Sequence, residues 1–165
     1  MHSNGRPETV YELCEMVCEA IAERPLNYVQ QRWHTDAKAW NKEACGTAYC
    51  RAGWMASFLR KGSGPCTDDG YIHRTATAAL VDAGADPRET ARLFDGGAIS
   101  FSTVGPTPAI GTPAYVEAGI KGMRRFMDRY EQKLKHARIN NDNSITLLEG
   151  HPDYADTHTP ETQTP

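Results

Sequence analysis

Residues 112–135 read TPAYVEAGIKGMRRFMDRYEQKLK, and this stretch decides the fold class. Thr112 is a side-chain acceptor placed to cap a helix. Pro113 follows at the first helical position, where a missing N–H has no intrahelical partner to lose. Val116, Ile120, Met123, Met127, Tyr130 and Leu134 then recur four and three residues apart, a heptad seam. The seam spans about three heptads, and Gly119 and Gly122 weaken a free-standing helix. It therefore reads as a core-facing stripe rather than a coiled coil, with the glycines permitting close approach by another helix. The other face carries Lys121, Arg124, Arg125, Arg129, Lys133 and Lys135, against Glu117, Asp128 and Glu131.

The same periodicity recurs upstream. Val10, Leu13, Cys14, Val17 and Ile21 form one apolar stripe over a helix expected from Pro7 to Arg24, with Glu8, Glu12, Glu15, Glu19 and Glu23 as a separate acidic stripe. A second helix is expected over Asn27–Trp40. A third is expected over Tyr49–Arg60, with Cys45-Gly46 as the turn before it and Thr47 as its N-cap. Gly62–Ile72 reads as a polar loop, and Thr75–Ala83 as a short alanine-rich helix. Asp86-Pro87-Arg88-Glu89 combines a cap acceptor, a proline at the first position and a glutamate at the third to reach back, starting a helix that ends near Phe94. Ala98–Pro113 is a long loop rich in glycine, proline, serine and threonine, a length often associated with function.

The resulting expectation is a mainly α protein: one bundle of about five or six helices over residues 7–138, with long loops. Residues 139–165 contain Asp142, Glu149, Asp153, Asp156 and Glu161 and neither lysine nor arginine, so they form an acidic tail. Ile145, Leu147 and Leu148 are candidates to dock; beyond about residue 150 the composition is that of a disordered end. At 165 residues the chain suits one domain with its own core. No apolar run approaches the ~20 residues of a membrane helix, and Met1–Pro7 lacks the apolar region of a signal peptide. The expectation is a cytoplasmic protein without a membrane partner, whose five cysteines are mostly reduced, monomeric or a homodimer.

Chemistry concentrates in Cys45-Gly46-Thr47-Ala48-Tyr49-Cys50-Arg51-Ala52-Gly53-Trp54, with Trp40 just upstream. A cysteine at a helix N-terminus faces the positive end of the dipole, which favours the thiolate. That makes Cys45 a catalytic candidate, with His73 or His136 as the plausible base and His73 the one singled out. The spacing departs from the papain-like signature, since four residues separate Cys45 from Cys50 instead of two. Cys45, Cys50, Cys66 and His73 could together supply a zinc ligand set, although the spacing is not that of the usual ligand pairs. The competing structural reading makes the run a glycine turn with a packing cysteine, and puts Cys14 on the apolar stripe with Cys18 near its edge. Trp40, Cys45, Thr47, Cys50 and Trp54 are the candidate binding residues here. No cofactor is expected under the structural reading.

The net charge of −3 makes no general case for nucleic acid. Arg124, Arg125, Arg129 and Lys133 could contact phosphates, but acidic residues interleave and no aromatic platform accompanies them. A solvated face, partly paired with the acidic stripe of the first helix, is the favoured reading.

One pattern is wider. Ile21-Ala22-Glu23-Arg24-Pro25, Tyr28, Gln31 and Trp33, then Cys45-Gly46-Thr47, Cys50 and Ala52-Gly53-Trp54 resemble a group of small uncharacterised proteins from phages and actinobacteria. Ala91-Arg92-Leu93-Phe94 and the helix after Gly111-Thr112-Pro113 are similar to later parts of that group. Arg51 stands where an apolar residue is usual, and the spacing from Trp33 to Cys45 is longer. The resemblance implies a phage or mobile-element origin and an intracellular accessory role on a host or phage component. The expected function is thus a non-enzymatic binding or regulatory protein contacting a protein or small ligand. The alternatives are a thiol- or metal-dependent protein centred on Cys45 and Cys50, and nucleic-acid binding through the last helix.

Overall fold

Helix α1, Val10–Glu23, lies along α5, Pro113–Lys135, and their facing apolar stripes form the centre of the core. A computed structural model describes residues 5–28, 34–36, 47–60, 69–94 and 108–155. Between these helices in the chain come strands β1, His34–Asp36, and β2, Thr47–Tyr49, then helices α2, Arg51–Leu59, α3, Asp69–Asp82, and α4, Pro87–Phe94. After α5 the chain forms strands β3, Ala137–Ile139, and β4, Ile145–Leu147. The fold is mainly α, with five helices and two small antiparallel hairpins among the described residues.

The α1 stripe is read correctly from the sequence. Val10, Leu13, Cys14, Val17 and Ile21 are all fully buried, and Cys18, expected at the edge, is buried with them. The helix begins later than the proline suggested. Thr9 is the N-cap: its Oγ1 accepts from the Glu12 N–H at 3.2 Å, and Glu12 Oε2 accepts from the Thr9 N–H at 3.2 Å. This reciprocal box satisfies donors at the helix start that Pro7 could not. Pro7 instead precedes a stretch paired with the C-terminal hairpin, where Thr9 bridges Arg138 and the Ile139 N–H donates to the Glu8 carbonyl at 2.8 Å.

The second expected helix is overturned where it is described. Pro25–Asn27 is a single 3-10 turn, and His34–Asp36 pairs with Thr47–Tyr49 in the register His34 to Tyr49. The proposed helix had no continuous apolar stripe, and Thr35, Thr47 and Tyr49 suit extended backbone, whose N–H and C=O groups the pairing satisfies. Thr47 is therefore in a strand rather than at a cap. Cys50 takes the cap, its Sγ accepting from the Gly53 N–H at 3.3 Å. Trp33, Trp40, Cys45 and Gly46 lie outside the described residues, as do Cys66 and most of Ala98–Pro113.

Helix α3 is longer than the alanine-rich segment, because fully buried Ile72 extends the face of Ala76, Ala79 and Leu80 back by one turn. Helix α4 begins as expected: Asp86 Oδ1 accepts from the N–H groups of Arg88 and Glu89 at 2.8 and 2.9 Å. Glu89 does not reach back; its carboxylate binds Arg129 and the Tyr130 hydroxyl of α5. On α5, Thr112 caps as read, and Val116, Met123, Met127 and Leu134 are buried with Ile120 and Tyr130 partly so. Tyr115, Ala118 and Phe126 widen this stripe beyond the heptad reading.

The expected boundary at residue 138 falls inside a hairpin. β3 pairs with β4 from Ala137 with Leu147 to Ile139 with Ile145, and buries Ala137 and Ile139 against the helices. Residues 151–153 are held as well. His151 is buried, its Nε2 lies 3.2 Å from the Ala83 carbonyl, and its Nδ1 accepts from the Asp153 N–H at 3.0 Å. Lys133 Nζ donates to the Gly84 carbonyl at 3.0 Å and to Asp153 Oδ2 at 2.8 Å. Composition marks this segment as polar but is blind to these partners, which are distant in sequence.

A three-residue knot joins the helices. Tyr28, leaving the 3-10 turn, lays its ring on Gly119 of α5, where an added Cβ would fall within 2.6 Å of its Cζ and Oη. Its ring also packs on Tyr115 at a centroid distance of 5.5 Å. Arg51, fully buried, donates from Nε to the Gly119 carbonyl at 3.1 Å and from Nη1 to the Leu93 carbonyl at 2.6 Å. Gly119 thus permits the close approach foreseen for it, although to a tyrosine ring. Gly119→Ala is expected to lower stability by about 1–3 kcal/mol, because the ring has no free space to move into. Chemical denaturation checks this; an unchanged midpoint would refute the packing.

Candidate functional site

The cysteine cluster resolves into packing where it is described. Cys50 sits at the N-terminus of α2, where the Gly53 and Ala52 N–H groups and Arg51 favour a thiolate. Burial works against them and is larger, so the Cys50 thiol is pushed up to about 11. Cys18 is pushed up to about 11 by burial, against the opposing fields of Arg124 and Arg51. Burial raises Cys14 as well, with Cys18 and Glu15 adding to the effect. These three cysteines are buried, protonated core residues at neutral pH. Cys45, Cys66 and the His73 side chain lie outside the described residues. Among the described residues, no three histidine, cysteine or acidic groups come together to hold a metal ion.

Trp54 is a different kind of feature. Gly53 and Trp54 follow the Cys50 cap on the first turn of α2, so the cap sets the direction of the indole. Its ring stacks on Phe58, one turn later, at 6.0 Å and 23°, and the Arg24 guanidinium lies 5.9 Å from the ring centroid. A shallow groove of about 220 Å³ opens here between α1 and α2. Met16, Ala20, Trp54 and Phe58 supply its apolar lining, and Glu19, Glu23 and Arg24 its charged part. The sequence reading picked out Trp54 but missed Phe58 and the end of α1. Their fourfold spacing, Trp54 to Phe58 and Glu19 to Glu23, is the signal that could have found them.

The basic face of α5 divides in two. Arg124 lies 3.7 Å from Glu15 of α1, Arg129 binds Glu89 of α4, Lys133 binds Asp153, and Lys135 binds Glu131 at 2.6 Å. Lys135 also stands 5.0 Å from the centre of the Tyr11 ring. The first-helix partner expected for this face is present at Arg124. Each such exposed pair contributes about 0.2–1 kcal/mol. Three of the four cations singled out as phosphate contacts, Arg124, Arg129 and Lys133, therefore have internal carboxylate partners.

The cations that remain are Lys121 and Arg125, both exposed, with no ion pair among the described residues. Helix α4 also exposes Arg88 and Arg92, which the charge reading had not singled out. The pairs Lys121–Arg125, Arg125–Arg129 and Arg88–Arg92 each put like charges four residues apart on a helix. Glu117, one turn before Lys121, and Asp128, one turn after Arg125, are exposed carboxylates at the spacing that offsets such repulsion. Arg88 also sits in the first turn of α4, where the helix dipole disfavours a cation by about 0.3–1 kcal/mol.

Comparison with known proteins gives no match: no family model, no curated protein and no solved structure corresponds to this chain.

Two outcomes test the site's electrostatics. Iodoacetamide at about pH 8 should leave Cys14, Cys18 and Cys50 unmodified in the native protein and label them in denaturant, as read by peptide mass mapping. Labelling of native Cys50 at the rate of a free thiol would contradict its burial. The second concerns the tail. The Lys133 ammonium holds the Asp153 carboxyl below its ordinary value of 3.8. A lowered folded-state value means the pair stabilises fully above that ordinary value and its contribution is lost as pH falls below it. Amide-exchange protection around His151 should drop below about pH 4. Asp153→Asn should reproduce part of that drop at neutral pH, and equal protection in the variant would refute the latch.

Proposed function

We propose that the chain is a non-enzymatic binding protein that docks a partner protein through the groove between α1 and α2. The observation that supports this is the stacked Trp54–Phe58 pair beside Glu19 and Glu23. At about 220 Å³ the groove is smaller than the ~300–1,000 Å³ of small-molecule sites. That size suits a single anchoring side chain of a partner, the usual geometry of an interface hot spot. The carboxylates favour a segment in which an apolar or aromatic anchor stands next to lysine or arginine. Protonated Cys50 supports the reading against its thiol-dependent alternative, since the buried thiol is a poor nucleophile. The motif resemblance extends the proposal to an accessory role in the cytoplasm, in a phage or mobile-element setting, on a host or phage component.

Selection of a random peptide library on the immobilised full chain tests this. Recovered peptides should share a large apolar residue next to a basic one. Their affinity should fall at least about tenfold in Phe58→Asp and in the Glu19→Lys, Glu23→Lys double variant, roughly 1.4 kcal/mol or more. Peptides that bind these variants equally well would overturn the assignment. So would substrate turnover by the purified protein that disappears in Cys45→Ser.

A further inference from the structure

We infer that the group recognised in the α1–α2 groove is a guanidinium, the side chain of an arginine in the partner, and that Arg24 holds its place in the unbound protein. This rests on the groove reading above and makes the basic residue, rather than an apolar one beside it, the anchor. The backbone fixes Arg24 at the junction of two elements. Its N–H donates to the Ala20 carbonyl at 3.0 Å, ending α1, and its carbonyl accepts from the Asn27 N–H at 2.9 Å, opening the 3-10 turn. Pro25 cannot continue the helix, so the chain turns here. The guanidinium then lies 5.9 Å from the centre of the Trp54 ring, and the indole, of all side chains, presents the strongest π face for a cation.

The carboxylates beside that ring have no cation of their own. Glu19 and Glu23 are exposed, one turn apart near the end of α1, and neither forms an ion pair among the described residues. Glu15, the next acidic group along this row, meets Arg124. The last turn of α1 holds no basic side chain, so the negative end of the helix dipole adds to the field of the two carboxylates. Arg24 lines the same groove, yet its guanidinium makes neither an ion pair nor a hydrogen bond among the described residues. The two attractions for a cation are thus separated: the aromatic wall carries Arg24, and the carboxylates are left to solvent.

A guanidinium arriving from a partner joins the two. It lies flat on an indole face while its N–H edges turn toward both carboxylates, whose Cβ atoms one turn apart are about 5–6 Å from each other. An ammonium is a point charge and offers no second edge. Met16 and Ala20 line the groove where the methylene stem would pack. An apolar anchor in the same place would desolvate Glu19 and Glu23 with nothing in return. Displacing Arg24 costs little, because its side chain is already exposed and gives up only the contact with the ring. Arg24 is therefore a resident competitor, which a partner's arginine replaces.

Nuclear magnetic resonance of the full chain with isotope-labelled tryptophan tests this, the Trp54 indole signal being assigned by its loss in Trp54→Phe. The probes are the amides of Nα-acetylated arginine, lysine and norleucine. The arginine probe should shift the Trp54 signal saturably and bind more tightly than the lysine probe, and norleucine should leave the signal in place. Arg24→Gln should tighten the arginine probe by about 2–5-fold, the equivalent of an exposed cation–π contact. Arg24→Lys, which keeps a competing charge, should not tighten it, and Arg92→Gln, which removes the same charge from α4, should change nothing. A merely structural role for Arg24 predicts the opposite sign. Glu19→Gln with Glu23→Gln should weaken the probe by about threefold or more. Unchanged or weaker binding in Arg24→Gln overturns the proposal, as does a lysine probe that binds equally well. If norleucine binds as tightly as arginine, the groove stands and its cationic reading falls. An arginine probe that leaves the Trp54 signal unmoved overturns the proposal too, and whether the library-selected peptides move that signal then decides if the groove reading survives.

Discussion

The contact between Tyr28 and Gly119 is the constraint on which the rest of the packing depends. A tyrosine ring reaches α5 only because position 119 has no Cβ. That approach brings the end of the α1 unit against the middle of the longest helix, and Tyr115 closes on the ring from the preceding turn. It also leaves the Gly119 carbonyl accessible to Arg51, whose Nη1 donates to the Leu93 carbonyl of α4. A guanidinium in that place acts as a rigid fork between helices, tying α2 to α4 and α5 at once. An apolar residue would fill the volume but would leave both carbonyls without this donor.

Desolvation then determines the chemistry of the cysteine-rich centre. A helix N-terminus and a neighbouring arginine are the usual means of activating a thiol, and Cys50 has both. Burial outweighs them, so the same cysteine serves as a cap and a packing residue. Polar groups gather at the rim, where Trp54 and Phe58 meet the carboxylates of α1.

A good part of the fold was legible in the chain. Caps at Thr112 and Asp86, and stripes on α1 and α5, arise from groups within four residues of one another, and the helical period exposes them directly. What was missed involves longer reach. The strand at His34–Asp36 exists because Thr47–Tyr49 pairs with it, and residues 151–153 are held because Ala83 meets His151 and Lys133 meets Asp153. The basic stripe was visible as a stripe, but which cations were already neutralised depended on Glu15, Glu89 and Asp153, from three other parts of the chain.

The sequence by itself determined a mainly helical protein, the faces its helices bury and several of their starts, because period and capping are local physics. Only the tertiary structure decided that Cys50 caps and stays protonated, that Arg51 is an internal fork, and that Arg124, Arg129 and Lys133 meet Glu15, Glu89 and Asp153. Burial and charge pairing depend on which distant groups a residue meets, and one-dimensional spacing carries no measure of that distance.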